Sequence, residues 1–328
     1  MTHPLENREH HSPTPKRALL FNVQYHATED GPGIRTSLFF MGCLMHCPWC
    51  HNPEGISPRR KLICYEMRCL GTGKCLEVCP RKALTLTPQG MVIHRDLCDA
   101  CGKCVDACPA GALEVIGKEY TLEELVSQVL VDRVFYQKSG GGVTLSGGEP
   151  SLQTDFCERL MIRLKEEGVH LALDTCGGIA WPTLQRLVNR TDLVLYDLKL
   201  MDPHRHVLAT GIPLERVLEN AEKIARSGKP LWIRTPVIPG VNDTAENIRQ
   251  TARFIREKLP TVERYDLLAF NHTCVSKYQR LGLYWDFAKT PLLSEETMEA
   301  LAAAAIQEGL DCVRWSGLTR PDRDHRAG

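Results

Sequence analysis

The sequence predicts an α/β protein, an open partial (β/α)6 barrel interrupted by a cysteine-rich insert. Three observations carry that expectation. From Gly117 onward, short apolar runs alternate with amphipathic helical stretches, the pattern of successive βα units. With the run ahead of the first cysteines they number six, short of the eight parallel units that close a TIM barrel. Finally, the chain has 15 cysteines, and all but Cys157, Cys176, Cys274 and Cys312 fall between Cys43 and Cys108.

In chain order, residues 1–17 are polar and proline-bearing and read as a disordered leader. RTSLFFMG (35–42) is the first strand, followed by a cysteine-bearing loop. Residues 58–117 break the βα rhythm and form an inserted domain. Within it RCLGTGKCLEVCPRKALTL and LCDACGKCVDACPAGALEV are duplicated halves, each too short to fold without help from a cofactor. Thr121 with Glu124 three residues on makes a capping box, and Leu122, Leu125, Val126 and Val129 share the face of the helix it opens. The remaining strands are GVTLS (142–146), VHLALDT (169–175), DLVLYDLK (192–199), PLWIRTPVI (230–238) and RYDLLAF (264–270). The barrel thus takes residues 18–57 and 118–316, and 317–328 form a tail. Functional groups belong at the C-terminal strand ends.

Lysine plus arginine equal aspartate plus glutamate at 40 each, so no net field draws the chain to nucleic acid or an anionic membrane. No apolar stretch is long enough to span a bilayer, and no h-region of a signal peptide precedes the barrel. A cytoplasmic protein is expected, and its cysteines point to metal or redox chemistry rather than disulfides.

MGCLMHCPWCHNPEG sets Cys43, Cys47 and Cys50 in a CxxxCxxC array after the first strand. Three thiolates are one too few for a [4Fe–4S] cube, which leaves one iron open to a bound reactant. A zinc site or three buried thiols is the plain alternative.

CxxxCxxC with the aromatic Trp49 before its last cysteine, followed by a GGE motif, resembles the radical S-adenosylmethionine superfamily. More narrowly, DGPGIRTSLFFMGC, CHNPE, SGGEP, DTCG, DLK and IPGVND in that order resemble the glycyl-radical-enzyme activating enzymes. The resemblance spans roughly residues 18–316. It implies a three-cysteine catalytic cluster, S-adenosylmethionine as cosubstrate, and a partner glycyl radical enzyme as protein substrate. It also implies a low-potential electron donor such as flavodoxin or ferredoxin. On the same ground Gly147, Gly148 and Glu149 hold the methionyl ammonium, with Glu149 as an anionic acceptor. Asp174, Thr175 and Asp197 border a monovalent cation beside the cosubstrate carboxylate, and Lys199 contacts the cosubstrate. Arg234 pairs with a carboxylate, Trp49 flanks the cofactor, and His272 takes the place of an active-site histidine. A turn, a solvated ion pair and a plain polar histidine are the bland readings of the same residues. Asp30 to Arg35 border the edge that receives the partner's glycine loop.

In the insert, Cys98, Cys101, Cys104 and Cys108 form the C-x2-C-x2-C-x3-C-P run of bacterial ferredoxins, whose fourth cysteine serves the other cluster. One auxiliary cluster then takes Cys98, Cys101, Cys104 and Cys79. The other owns Cys69, Cys75 and Cys108, because Thr72 stands where a cysteine is expected. Cys64 is the favoured fourth ligand; a [3Fe–4S] cluster or a non-cysteine ligand are the alternatives. A radical enzyme acting on a small molecule or peptide is the rival function. Such enzymes commonly carry extra clusters after the barrel, whereas this insert directly follows the first cysteine loop.

Overall fold

The computed structural model describes residues 17–321. In chain order the elements are β1 (Arg17–Ala27), β2 (Arg35–Phe40), α1 (Pro53–Ile56), β3 (Lys61–Cys64), α2 (Lys74–Glu77), β4 (Leu84–Thr87), β5 (Gly90–Ile93), α3 (Lys103–Asp106), β6 (Leu113–Ile116) and β7 (Lys118–Thr121). The chain continues through α4 (Leu122–Leu130), α5 (Arg133–Ser139), β8 (Gly142–Gly147), α6 (Thr154–Glu166), β9 (His170–Thr175), α7 (Trp181–Val188), β10 (Leu193–Asp197), α8 (Pro203–Thr210) and α9 (Leu214–Arg226). It ends with β11 (Leu231–Val237), α10 (Ala245–Lys258), β12 (Val262–Ala269), α11 (Val275–Leu281), α12 (Glu295–Gln307) and β13 (Val313–Ser316).

The six expected strands are β2 and β8 to β12, and each pairs in parallel with the next. Their residues are buried on both faces, so they read as apolar runs rather than as strict alternation. β11 is instructive because it does alternate: Leu231, Ile233, Thr235 and Val237 are buried, and Arg234 and Pro236 face the other way. The sheet is larger than expected. β13 adds a parallel strand beyond β12, and β1 and β7 add two antiparallel strands beyond β2, making nine in the order β13-β12-β11-β10-β9-β8-β2-β1-β7. Arg17, placed in the leader from sequence, opens β1, while residues 1–16 and 322–328 of the expected leader and tail lie outside the described residues.

Helices cover the sheet with their apolar stripes. In α9, Leu214, Val217, Ala221 and Ile224 are buried, three and four residues apart. The capping box at α4 is formed in both directions: Glu124 N donates to Thr121 Oγ1 at 3.2 Å, and Thr121 N donates to Glu124 Oε2 at 2.7 Å. Leu125, Val126 and Val129 are buried as the periodicity requires.

Residues 58–117 carry their own small core of Leu62, Leu84, Leu113 and cysteines. β3 pairs antiparallel with β6, and β4 with β5. The duplication is visible in the backbone, since α2 and α3 each follow a left-handed glycine, Gly73 (φ 74°) and Gly102 (φ 88°). Among the described residues no helix is long and apolar enough to cross a membrane.

Candidate active site

The loop after β2 carries Cys43, Cys47 and Cys50 and is stitched to its neighbours through the backbone. Gly42 N donates to Gly55 O at 2.7 Å, Cys43 N to Ile56 O at 3.0 Å, and Glu149 N to Gly42 O at 2.7 Å. The glycines of SGGEP make this approach feasible. A Cβ on Gly147 would stand 2.3 Å from Phe40 N, and one on Gly148 would stand 2.1 Å from Gly42 O.

Between this loop and the C-terminal ends of β8 to β12 lies a cavity of about 690 Å³, within the range of small-molecule sites. Cys43, Cys47, Cys50 and Trp49 line it from the loop, and Gly147 and Gly148 from β8. Asp174 and Thr175 project from β9, Asp197 and Lys199 from β10, and Arg234 from β11. These residues, distant in sequence, share one cavity because parallel strands present their ends on one rim.

The rim is a compensated charge cluster. Lys199 Nζ donates to Asp197 Oδ2 at 2.6 Å. Arg234 donates to Asp197 Oδ1 through Nε at 3.1 Å and Nη2 at 3.0 Å, and its Nη2 also bonds Asp174. Ser146 Oγ donates to the other Asp174 oxygen at 2.7 Å. Burial pushes the Asp174 carboxyl up to about 6, against the pull of Arg234. Burial acts on Asp197 too, but Lys199 and Arg234 together override it and hold that carboxyl at about 2. Both cations are in turn kept charged above their ordinary ranges, against desolvation, by these carboxylates.

Among the described residues no three or more His, Cys, Asp or Glu side chains are drawn together as a ready metal site, and the surroundings of the loop thiols set their ionisation. Burial pushes Cys47 up to about 11 and Cys50 up to about 12, so their thiolates form readily only when a cation is bound. Cys43 is lowered, chiefly by the neighbouring Cys176 side chain. Cys50 Sγ accepts from Asn52 N at 3.4 Å.

Two expected residues are positioned otherwise. Glu149 is fully buried and does not line the cavity. Ser151 N and Oγ donate to its Oε1 at 3.1 and 2.7 Å, while Thr175 Oγ1, Cys176 N and Cys176 Sγ donate to Oε2 at 2.8, 2.9 and 3.1 Å. With both oxygens engaged by the chain itself, Glu149 staples the SGGEP turn to the DTCG turn. His272 also stands off the cavity: its Nε2 donates to Thr290 O at 2.6 Å, and its ring packs edge-on against Phe270 and Trp285. His51 lines the cavity in its place, with its imidazole pushed down by burial and by Lys277. Ser146, Cys176, Asn52, Glu29 and Asp30 are further lining residues. Their signal was present, since each lies within or beside a motif already singled out.

Residues 58–117 contain two smaller pockets that sort their eight cysteines. Cys64, Cys69, Cys75 and Cys108 line one, together with Thr72. Cys79, Cys98, Cys101 and Cys104 line the other. In matching positions Cys79 Sγ accepts from Ala83 N and Cys108 Sγ from Ala112 N, both at 3.3 Å.

Comparison with known proteins agrees with this geometry. The model of the radical SAM superfamily matches residues 37–255. The (2S)-3-sulfopropanediol dehydratase activating enzyme of Klebsiella oxytoca is 34% identical over 90% of this chain and 96% of its own. The benzylsuccinate synthase activating enzyme of Thauera aromatica is 38% identical over 81% and 82%, respectively. The isethionate sulfite-lyase activating enzyme of Oleidesulfovibrio alaskensis is 40% identical over 88% and 95%. Three thiols open to a rim of paired charges, on a parallel sheet matched along most of its length, assign this chain to the radical SAM superfamily and, within it, to the glycyl-radical-enzyme activating enzymes.

Proposed function

We propose that this chain is an activase that installs a radical on a glycine of a partner glycyl radical enzyme, with Cys43, Cys47 and Cys50 as ligands of its catalytic [4Fe–4S] cluster. The observation that carries the proposal is the meeting of three thiols with the charged rim in one cavity of about 690 Å³. Bound there, the cluster and S-adenosylmethionine supply a 5′-deoxyadenosyl radical by reductive cleavage, and that radical takes the Cα hydrogen of the partner's glycine.

The chain's own residues bind and orient. Gly147 and Gly148 present their backbone to the cavity for the methionyl group, and Thr175, Asp174 and Asp197 offer oxygens at the rim. Lys199 and Arg234 keep Asp197 ionised, and Arg234 orients both carboxylates. Trp49 closes the apolar side, excluding water and stray hydrogen donors. A monovalent cation beside Asp174, Thr175 and Asp197 belongs to this reading as a guest of the rim, and no step is assigned to it.

We divide the chain into a leader that ends before Arg17, a barrel (17–57 and 118–316), a ferredoxin-like insert (58–117) and a tail (317–328). The insert is read as holding two auxiliary clusters, one on Cys79, Cys98, Cys101 and Cys104, the other on Cys69, Cys75 and Cys108 with Cys64 as fourth ligand. The sorting of the thiols between two pockets supports this reading. Electrons come from a low-potential carrier of the flavodoxin or ferredoxin type. A cytoplasmic location suits so many free thiols.

The test is anaerobic. Reconstituted protein with dithionite and S-adenosylmethionine is expected to yield 5′-deoxyadenosine, and the partner enzyme a glycyl doublet by electron paramagnetic resonance. Alanine at Cys43, Cys47 or Cys50 is expected to abolish both, and undiminished cleavage by any of the three would overturn the proposal.

A further inference from the structure

One stretch of chain far from the cysteine loop holds that loop from outside the cavity. Residues 41–52 contain no helix or strand, so their carbonyls depend on partners elsewhere. Trp285 Nε1 donates to Pro48 O and Tyr278 Oη to Cys50 O, each at 2.9 Å. Lys277 Nζ donates to His51 O at 3.0 Å and to Asn52 Oδ1 at 2.8 Å, and pairs with Glu54 at 3.1 Å. Tyr278 and Trp285 are buried and stacked, with ring centroids 5.2 Å apart. None of the three donors lines the cavity, so none is placed to touch a reactant.

The same helix is tied to the insert. Arg95 Nη2 donates to Leu281 O at 2.8 Å, and its Nη1 bonds Leu62 O. The Arg280 guanidinium lies 5.0 Å over the Tyr65 ring. α11 also packs on β3 and on α1, the short helix that follows the cysteine loop. Arg95 stands three residues before Cys98, and Tyr65 directly follows Cys64. α11 therefore contacts the catalytic loop on one side and both cysteine-bearing regions of the insert on the other.

We infer that Lys277, Tyr278 and Trp285 are positioning residues that clamp the Cys47–Asn52 segment, and that Arg95 couples the seat of the insert to that segment through α11. The inference deepens the proposed function and rests on it for the identity of the group the loop holds. The restraint on the loop itself does not depend on that identity.

Hydrogen–deuterium exchange on the full chain, metal-free and reconstituted, reads the clamp directly. In the metal-free protein Tyr278→Phe is expected to speed exchange in peptides covering residues 47–54 about fivefold, the factor one net neutral hydrogen bond supplies. Lys277→Met removes charge-assisted bonds and is expected to speed it about tenfold or more, with Lys277→Arg close to the parent. Arg95→Met is expected to raise exchange in residues 61–64, 275–285 and 47–54 together. In reconstituted protein the clamp variants are expected to lose catalytic-cluster iron to a chelator faster, while the insert clusters keep the parent's rate. Unchanged exchange over 47–54 in both Tyr278→Phe and Lys277→Met would overturn the clamp, as would an equal rise across β9 to β11, which marks general loosening. Arg95→Met without effect on 47–54 would overturn the coupling. If the parent forms no three-cysteine cluster, the functional reading fails while the exchange result stands.

Discussion

Asp174 and Asp197 share the guanidinium of Arg234, yet their carboxyls are driven in opposite directions. Lys199 breaks the symmetry, since it bonds Asp197 alone. The sign of the resulting pH dependence follows from linkage. Asp174 binds its proton more tightly folded, at about 6, than at its ordinary 3.8. Its contribution is fully present below 3.8 and is lost as pH rises through 6. Asp197, held at about 2, contributes stability above 3.8 that is lost as pH falls toward 2. In metal-free protein the stability of the parent relative to Asp174→Asn is therefore expected to fall between pH 4 and pH 7, by up to about 3 kcal/mol. Parallel chemical denaturation series would read this, and a difference that does not vary with pH would refute it. The rim residues were legible from sequence because charges at strand ends in DTCG and DLK rarely serve packing. Glu149 was legible as a position but not as an orientation. Nothing in the order Gly-Gly-Glu says whether the carboxylate turns toward the cavity or toward the hydroxyl, amide and thiol of Thr175 and Cys176.

The SGGEP turn does two things as an element. It ends β8 at the cavity, and it packs its backbone against the start of the cysteine loop, with Gly148 N donating to Phe40 O at 2.9 Å. The room at Gly148 is bounded by the carbonyl oxygens of Gly42 and Gly55, which a Cβ would approach to 2.1 and 2.7 Å. Backbone cannot swing aside as a flexible side chain can. Gly148→Ala is expected to displace the loop that carries Cys43, costing about 1–3 kcal/mol and lowering iron retention after reconstitution. Melting and iron assays would check both, and a variant with parental values in each would show that the loop yields freely. Helix capping behaves more simply. Thr121→Ala is expected to cost about 1 kcal/mol, read by denaturant melts, because it removes the acceptor for Glu124 N. The capping box and the six buried parallel strands could be read in advance since each depends on local pattern. The outer strands could not. The edge strands β7 and β13 have four residues each, too few for a period to register, and β1, which lies between β2 and β7, mixes polar and apolar residues along a half-exposed strand.

At the scale of the whole molecule, the insert joins its two halves by exchanging one cysteine each way. Cys79 belongs by sequence to the first half but faces the pocket of Cys98, Cys101 and Cys104, whereas Cys108 of the second half faces that of Cys64, Cys69 and Cys75. This sorting is the one expected from the C-x2-C-x2-C-x3-C-P run, in which the fourth cysteine serves the other set. The place of α11 between insert and catalytic loop was not legible, since contacts between residues such as Arg95 and Leu281 leave no periodic trace in sequence. The crossed arrangement makes a prediction that position in the chain alone would get wrong. If each pocket holds one cluster, the spectroscopic defect caused by Cys79→Ala should match that of Cys101→Ala and differ from that of its sequence neighbour Cys75→Ala. Cys108→Ala should in turn match Cys69→Ala. Cys64→Ala decides the remaining ligand, because Cys64 is buried in the pocket that Thr72 leaves one thiol short. It is expected to lower the iron of reconstituted protein from roughly 12 atoms per chain toward roughly 8, or roughly 11 if a three-iron cluster survives, with the signals of the Cys98 set intact. Parental iron and spectra in Cys64→Ala would exclude it as a ligand. Defects that group by sequence half rather than by pocket would rule out the exchange itself.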